Sequence, residues 1–399
     1  MSSTPTRLFA LSLACIALIG PLAVHAFLPV IPAIKAGLDL SDALAQLTFS
    51  ISLFAMAFAT LVYGSLSDRY GRRPVLLSGL ALFLLGSFLS LFASSIGSLL
   101  LGRVLQAVGA GCGMTLVRAI ARDAYGPDRL VKVLAYLTMF YTLGPMAAPV
   151  IAGLLVDHFG WRSVFVLSLV GGLLITAGAY LFIFETKPAR AGARVAGIGL
   201  ARGYFLLFSR LRFVAFVFQT AFSSAMFLVT AAAASFIMKD MLDRQASEYG
   251  LWFLLFPVGF FSGNFVSSRI GARAQTETMV LAGSLLSFLA GAIMCLLLAV
   301  GVLNPFVLFV SGFFITFAQG LAMPYGQAGA MGVEPQLAGT ASGIAVCLQN
   351  LLGASATLIY GMLADGTVWP LIYTCGAASL MMLGFGLIPW WQRQSGQRQ

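Results

Sequence analysis

From Leu8 to Leu387 the chain is a succession of apolar runs parted by short stretches carrying Arg, Lys, Gly or Pro. Each run is long enough, at about 20 residues, for a helix to cross the roughly 30 Å hydrocarbon core of a bilayer. Lipid offers the backbone no hydrogen-bond partner, so each crossing segment must bond itself internally. A β-barrel would show shorter segments with alternating polarity, which these runs lack. Only 9% of the 399 residues are charged and 60% are hydrophobic, whereas a soluble domain carries about 25% charged residues. The excess apolar surface has to meet lipid, and an all-α membrane protein follows.

Twelve transmembrane helices are expected, at 8–34, 44–66, 75–93, 98–121, 130–156, 162–184, 212–238, 248–268, 277–301, 305–331, 337–363 and 368–391. The net charge is +10, and its distribution points to membrane orientation rather than nucleic acid. Cations gather in alternate loops: Arg69, Arg72 and Arg73; Arg122, Arg129 and Lys132; Lys187, Arg190, Arg194, Arg202 and Arg210; Arg269 and Arg273. The tails add Arg7, Arg393 and Arg398, while the opposite loops carry Lys35, Arg162, Lys239 and Arg244. The positive-inside rule then places both termini in the cytoplasm. The longest connection, residues 185–211, reads as a cytoplasmic linker with room for a short surface helix. It separates a half at 1–184 from a half at 212–399.

No metal or cofactor is expected. The five cysteines lie in apolar spans without CxxC spacing and read as free thiols. His25 and His158 stand apart from other ligand types. An enzyme or an ATP-driven pump has no footing either, because neither HExxH, a nucleophile–base pair nor GxxxxGK[ST] occurs.

The halves repeat each other. GSLSDRYGRR at 64–73 matches NFVSSRIGAR at 264–273, with Asp68 facing Ser268. GLLVDHFGW at 153–161 matches GMLADGTVW at 361–369. Both pairs sit at equivalent distances from matching spans, which indicates a parallel six-plus-six repeat, an arrangement that builds transporters with a mid-membrane site.

Three motifs carry a family resemblance. Gly64–Pro74 (GSLSDRYGRRP) resembles the loop 2–3 signature of the major facilitator superfamily. Arg103–Gly109 (RVLQAVG) resembles its span-4 motif, and Gly144–Gly153 (GPMAAPVIAG) the span-5 motif of antiporters. The run LQAVGAGCGMTLVRAIARDAY at 105–125 is most similar to the Bcr/CflA group of drug:proton exporters. The resemblance implies two pseudo-symmetric six-helix halves that rock around a central cavity. It also implies a gating role for Gly64, Asp68, Arg69, Gly71, Arg72, Arg73 and Arg122, with the start of span 11 as partner. Gly144, Pro145, Pro149 and Gly153 would favour export.

The residues carry their own physics beside the resemblance. Gly71 permits a tight turn, and Arg122 or a helix N-terminus would stabilise Asp68. Gly144 and Gly153 let a neighbouring helix approach, and Pro145 and Pro149 bend their own. Arg103 lies inside span 4, where exposure to lipid costs about 3 kcal/mol. It is expected to face the cavity, either as an electrostatic anchor or as a clamp on span-1 carbonyls.

The resemblance breaks at His25. Bcr/CflA exporters carry an acidic residue in span 1, and this chain reads His25-Ala-Phe-Leu-Pro-Val-Ile-Pro32 there. No Asp or Glu is expected well inside any span. His25 is therefore the candidate for proton coupling, since an imidazole titrates near pH 6.5. Two other readings stand: the ring satisfies polar groups where Pro29 interrupts the helix, or Val24-His-Ala26 ends a cleaved signal peptide. Further cavity candidates are Tyr136, Tyr141, Gln219, Ser223, Met226, Gln319, Gln349 and Asn350. The expectation is a monomeric inner-membrane exporter of drugs or drug-like molecules, with protons as co-substrate and lipid as surroundings. The rival is a carrier of an anionic metabolite held by Arg103.

Overall fold

The computed structural model describes residues 6–186 and 200–396, all helix, turn or irregular chain. Eleven helices among the described residues are long and apolar enough to cross a membrane, and a shorter apolar one spans Leu143–Phe159. In chain order the twelve are span 1 (Arg7–Leu38), 2 (Asp42–Tyr70), 3 (Arg72–Leu91), 4 (Ile96–Tyr125), 5 (Leu143–Phe159), 6 (Ser163–Phe182), 7 (Leu211–Met241), 8 (Ala246–Ile270), 9 (Thr276–Ala299), 10 (Pro305–Val333), 11 (Pro335–Leu363) and 12 (Trp369–Ser395). Of the expected linker, residues 187–199 lie outside the described residues, and with them Lys187, Arg190 and Arg194. A short helix, Leu200–Phe208, precedes span 7.

Contacts divide the chain into two compact units, Met1–Ala196 with Gln245–Leu251, and Gly197–Arg244 with Trp252–Gln399. The first turns of span 8 thus group with unit 1.

Local chemistry sets the helix ends. Ser41 accepts from the Leu44 N–H, Asn304 from that of Val307, and Ser95 with Ser98 forms a reciprocal cap ahead of span 4. Gly71 and Gly271, at matching repeat positions, both end a span at positive φ, 103° and 52°. That backbone is open to glycine and strained for other residues.

Span 1 is broken where its prolines require. Its α-helix stops at His25, and a 3-10 turn covers Leu28–Val30. Pro29 has no N–H for the His25 carbonyl. The backbone tightens instead, with Phe27 N–H bonding Val24 O at 3.3 Å and Val30 N–H bonding Phe27 O at 3.0 Å.

Helical structure runs unbroken from Ile96 to Phe159, 64 residues. A straight helix of that length would measure about 96 Å, some three bilayer cores. Contacts to span 1 show that it doubles back. Gly113 packs on Ile16 and Arg103 reaches Ala23, so span 4 runs against span 1. Gly144 packs on Pro21 and Trp161 on Gly37, so span 5 runs with it.

Burial separates inner from outer helices. Span 7 buries 89% of its most apolar stretch, span 6 only 28%. Leu173, Leu174, Tyr180 and Leu181 of span 6 are exposed, as a lipid-facing helix requires.

Candidate functional site

Arg103 is enclosed within unit 1 and is 2% exposed. Its Nη2 donates to Ala23 O at 3.3 Å, its Nε to Thr48 O at 3.4 Å, and its Nη1 to Gln106 Oε1 at 2.5 Å. The guanidinium also lies 3.7 Å from the ring centroid of Phe27. Gln106 Nε2 in turn donates to Ser87 Oγ at 2.9 Å. Four spans are thereby joined at one charge. The Ala23 bond follows from the break in span 1. In a regular helix Phe27 N–H would take that carbonyl, but it bonds Val24 O, which leaves Ala23 O for the guanidinium. Of the two sequence readings of Arg103, the clamp on span-1 carbonyls is the one whose bonds are present. Burial of a charge demands bonded partners, and three protein acceptors take the N–H groups of Arg103. His25 lies midway between Ala23 and Phe27, both in contact with Arg103, and is half-buried.

Unit 2 has an uncharged polar interior. Gln219 Nε2 donates to Ser284 Oγ at 3.0 Å, and that hydroxyl donates to Val280 O at 2.8 Å. Gln219 also lies in van der Waals range of Gly326 and Gly386, behind the closer Thr220 and Ser284. Gln319 Nε2 donates to Ser224 Oγ at 3.2 Å. Met226 is fully buried, its Cε against Gly291 and its sulfur accepting from Ser287. Gln219 and Met226, expected to share a cavity face with Ser223, are therefore held among spans 9, 10 and 12. Ser223 and Gln349 are buried, while Asn350 is half-buried and donates to Val346 O at 3.1 Å. In unit 1, Tyr136 is 43% exposed and stacks near Phe140, and Tyr141 is half-buried. Tyr136 and Tyr141 belong to unit 1, and the glutamines to unit 2.

The loop between spans 2 and 3 is a charge network. Asp68 pairs with Arg72 at 2.6 Å, and Arg72 Nε with Asp123 at 2.9 Å. Arg72 Nη1 also donates to Ser67 Oγ at 2.6 Å. Glu185 accepts from the backbone N–H groups of Arg72 and Arg73, at 2.9 and 3.1 Å. Gly71 has no side chain to cap span 3, and a Cβ there would lie 2.6 Å from Glu185 Oε2. Glu185 supplies the cap and its charge suits the positive helix end. Arg73 donates to Tyr180 O at 2.8 Å. Arg122, one of the two groups expected to stabilise Asp68, is exposed and pairs with Asp123 at 3.4 Å. Arg69 lies over Tyr70, and Gly64 is open to its surroundings. In the repeat, Ser268 stands in the place of Asp68 and, among the described residues, donates to Phe265 O of its own helix.

Span 5 packs through its small residues. A Cβ at Gly144 would meet Pro21 at 2.6 Å, and one at Gly153 would strike the Ala246 carbonyl. Pro149 O approaches Gly250 just as closely, within 2.6 Å of a Cβ placed there. Pro145 is half-buried and Pro149 buried. One turn beyond Gly153, Asp157 accepts from the N–H groups of Ala246 and Ser247 at 3.0 and 2.8 Å. All these contacts lie within unit 1. Asp365, the repeat mate of Asp157, turns instead to Thr367, whose hydroxyl and N–H hold its carboxylate below the usual range.

The sequence pattern of the Major Facilitator Superfamily matches residues 13–357. The chain belongs to this superfamily. Among curated facilitator relatives, a bicyclomycin resistance protein homolog of Haemophilus influenzae is 28% identical over 93% of both chains. Multidrug resistance protein D of Escherichia coli is 28% identical over 86% of this chain and 85% of its own. Among solved facilitators, a D-xylose–proton symporter superposes with a TM-score of 0.76 at 15% identity, covering 95% of this chain and 97% of that one. A bacterial homolog of the lysosomal transporter Spinster, inward-facing and unoccupied, gives 0.72 at 16% identity over 95% and 93%. These identities speak for the facilitator fold, a multi-pass membrane transporter.

Four partners in this facilitator escape sequence reasoning. In the sequence Asp123 and Glu185 look like ordinary loop charges. A helical count puts Asp123 one residue past Arg122 and on a different face, which is the signal available for it. Glu185 carries none, since it acts from 113 residues away. Gln106 sits one turn after Arg103, and i,i+3 spacing is enough to pair the two. Phe27 requires knowledge of where span 1 breaks.

Proposed function

We propose that this facilitator is a secondary active exporter of drugs or drug-like molecules in the bacterial inner membrane, driven by proton entry and working by alternating access. The observation that carries the reading is the alignment, along most of the chain, with relatives named for bicyclomycin and multidrug resistance. The Gly144–Gly153 seam agrees with it, because its small residues are used in close helix packing. Bulky apolar side chains and neutral amides inside unit 2 suit substrates of varied shape that offer few fixed charges.

His25 is the coupling group in this reading. It sits at the break in span 1, two residues from each of two Arg103 contacts. Protonation adds a positive charge to the broken segment of span 1 whose Ala23 carbonyl Arg103 holds, and favours loosening of the clamp. Proton arrival and movement of span 1 are thereby linked. Asp68, through Arg72 and Asp123, ties spans 2, 3 and 4 at one end and serves as the gate.

The anionic-metabolite reading needs Arg103 free to meet substrate. Its N–H groups are directed to Ala23, Thr48 and Gln106, so that reading loses its anchor. Everted vesicles carrying the protein test the proposal, with ethidium as probe. Ethidium accumulation that collapses when the imposed pH gradient is dissipated supports proton-coupled export. Accumulation indifferent to the gradient across a panel of dyes and antibiotics refutes it.

A further inference from the structure

The helix Leu200–Phe208 packs one face onto unit 2. Leu207 is fully buried with Phe213, Phe216, Val280, Ala330, Ala341 and Ile344. Those residues mark the end of the bundle where spans 7, 9 and 11 begin and span 10 finishes. Gly203, one turn before Leu207, is buried as well. The other face presents Arg202, Phe205 and Ser209, at i, i+3 and i+7. Phe205 is 77% exposed, and Phe208 and Leu211 are exposed beside it.

One exposed ring needs no explanation. Three large apolar side chains in succession, beside the end of a membrane bundle, need a cover. The charge around them says which. From Lys187 to Lys239 the sequence contains Arg190, Arg194, Arg202, Arg210 and Arg212 and no Asp or Glu. Arg210 shares its charge with Glu334 at 3.1 Å, and Arg212 pairs with Glu277. Arg202 is exposed and has no ion pair among the described residues. An amphipathic helix with rings on one side and cations at its edge fits the boundary between headgroups and acyl chains. Basic residues next to a membrane span attract anionic lipid, each at a strength of about a fivefold change in binding.

We propose that Leu200–Phe208 lies in the membrane–water interface and binds anionic phospholipid, with Arg202 on the headgroup phosphate and Phe205 and Phe208 among the upper acyl carbons. The helix then fixes the start of span 7 to the lipid surface and makes the transporter sensitive to anionic lipid content. This inference stands apart from the substrate and from proton coupling.

The test uses the full-length protein in nanodiscs of phosphatidylcholine, with and without phosphatidylglycerol. A nitroxide-bearing amino acid at position 205 reports depth. The expected result is ready collision with oxygen and protection from a water-soluble nickel chelate. Native mass spectrometry then counts retained phosphatidylglycerol. Arg202→Gln is expected to weaken its binding about fivefold, with phosphatidylcholine unchanged. Arg269→Gln, an exposed arginine at the end of span 8 whose guanidinium lies over its own Phe265 ring, is expected to lose less phosphatidylglycerol than Arg202→Gln. A label open to nickel means that the helix faces water and overturns the proposal. A label shielded from both reagents means that protein covers the face, and overturns it equally. An interfacial label without loss of phosphatidylglycerol in Arg202→Gln, or with an equal loss in Arg269→Gln, overturns the assignment of anionic lipid to Arg202.

Discussion

Replacing Arg103 separates the clamp from the anchor. Arg103→Met keeps much of the apolar stem and removes every donor. Ala23 O and Gln106 Oε1 then lose a buried donor, at about 1–3 kcal/mol for each. The contact over Phe27 adds about 0.5–2 kcal/mol. Against this stands the relief of no longer burying a charge, which is several kcal/mol in a real protein interior. The losses total about 2.5–8 kcal/mol, so several kcal/mol of relief leaves a net loss of at most about 4 kcal/mol. Arg103→Lys decides the cause. Lysine keeps the charge but cannot reach acceptors on spans 1, 2 and 4 together with a planar fork. The clamp therefore predicts that Lys is nearly as destabilised as Met, by guanidinium unfolding in micelles followed by circular dichroism. Binding of an anionic probe by the folded fraction should stay within a few-fold in both variants. Wild-type stability in Arg103→Met, with anionic-probe binding lost and then restored by Arg103→Lys, would refute the reasoning and revive the anchor.

Asp68→Asn removes the ion pair to Arg72, so ethidium export should slow severely while equilibrium binding stays within a few-fold; near-normal turnover sinks the gating role. His25→Asn should erase the response of export to a pH gradient and spare downhill movement, with His25→Asp restoring coupling, and uphill export of normal pH dependence in the Asn variant would make the ring structural. Asp157→Ala removes two N–H partners from the start of span 8, a loss of about 1–2 kcal/mol. Amide exchange across 246–250 should rise roughly five- to thirtyfold, and unchanged protection would deny the cap. A lone cysteine at position 194 should react with an impermeant maleimide only after cells are permeabilised, and labelling of intact cells would invert the topology.

The spans are legible because lipid imposes one rule on every crossing segment, an apolar length of about 20 residues. The break in span 1 is legible for an equally local reason: Pro29 cannot donate to His25 whatever surrounds it. The turn glycines Gly71 and Gly271 are readable from the repeat. Partners across spans are not. Arg103 can be judged buried from its position, but its choice of Ala23 depends on which carbonyl the break in span 1 releases. The pairing of Asp68 with Arg72 is hidden because Gly71 ends the helix between them, so their i,i+4 spacing alone does not set the contact. The Gln219–Ser223–Met226 stripe is correct as a helical face. Its direction, toward spans 9, 10 and 12, depends on glycines at 291, 326 and 386, which belong to other helices.

The two halves have diverged in a direction that bears on mechanism. In unit 1 the repeat keeps Asp68, and the membrane interior keeps His25 and a buried Arg103. In unit 2 the matching loop has Ser268, and no Asp, Glu, Lys or Arg occurs between Arg212 and Lys239, Glu277 and Glu334, or Asp365 and Arg393. A group that changes charge during a cycle must sit where other charges or dipoles respond to it. Unit 1 offers a buried charge to respond, whereas the interior of unit 2 offers neutral amides and hydroxyls. Conversely, a surface that accepts molecules of varied shape is best left without a buried charge, since any substrate failing to pair with it would incur its desolvation cost. Under the proposed function, this difference between the repeats assigns the response to protons to unit 1 and the accommodation of substrate to unit 2. Transferring charge into unit 2, as in Gln319→Glu, should then narrow the range of exported compounds toward cations without supplying coupling to a His25→Asn background.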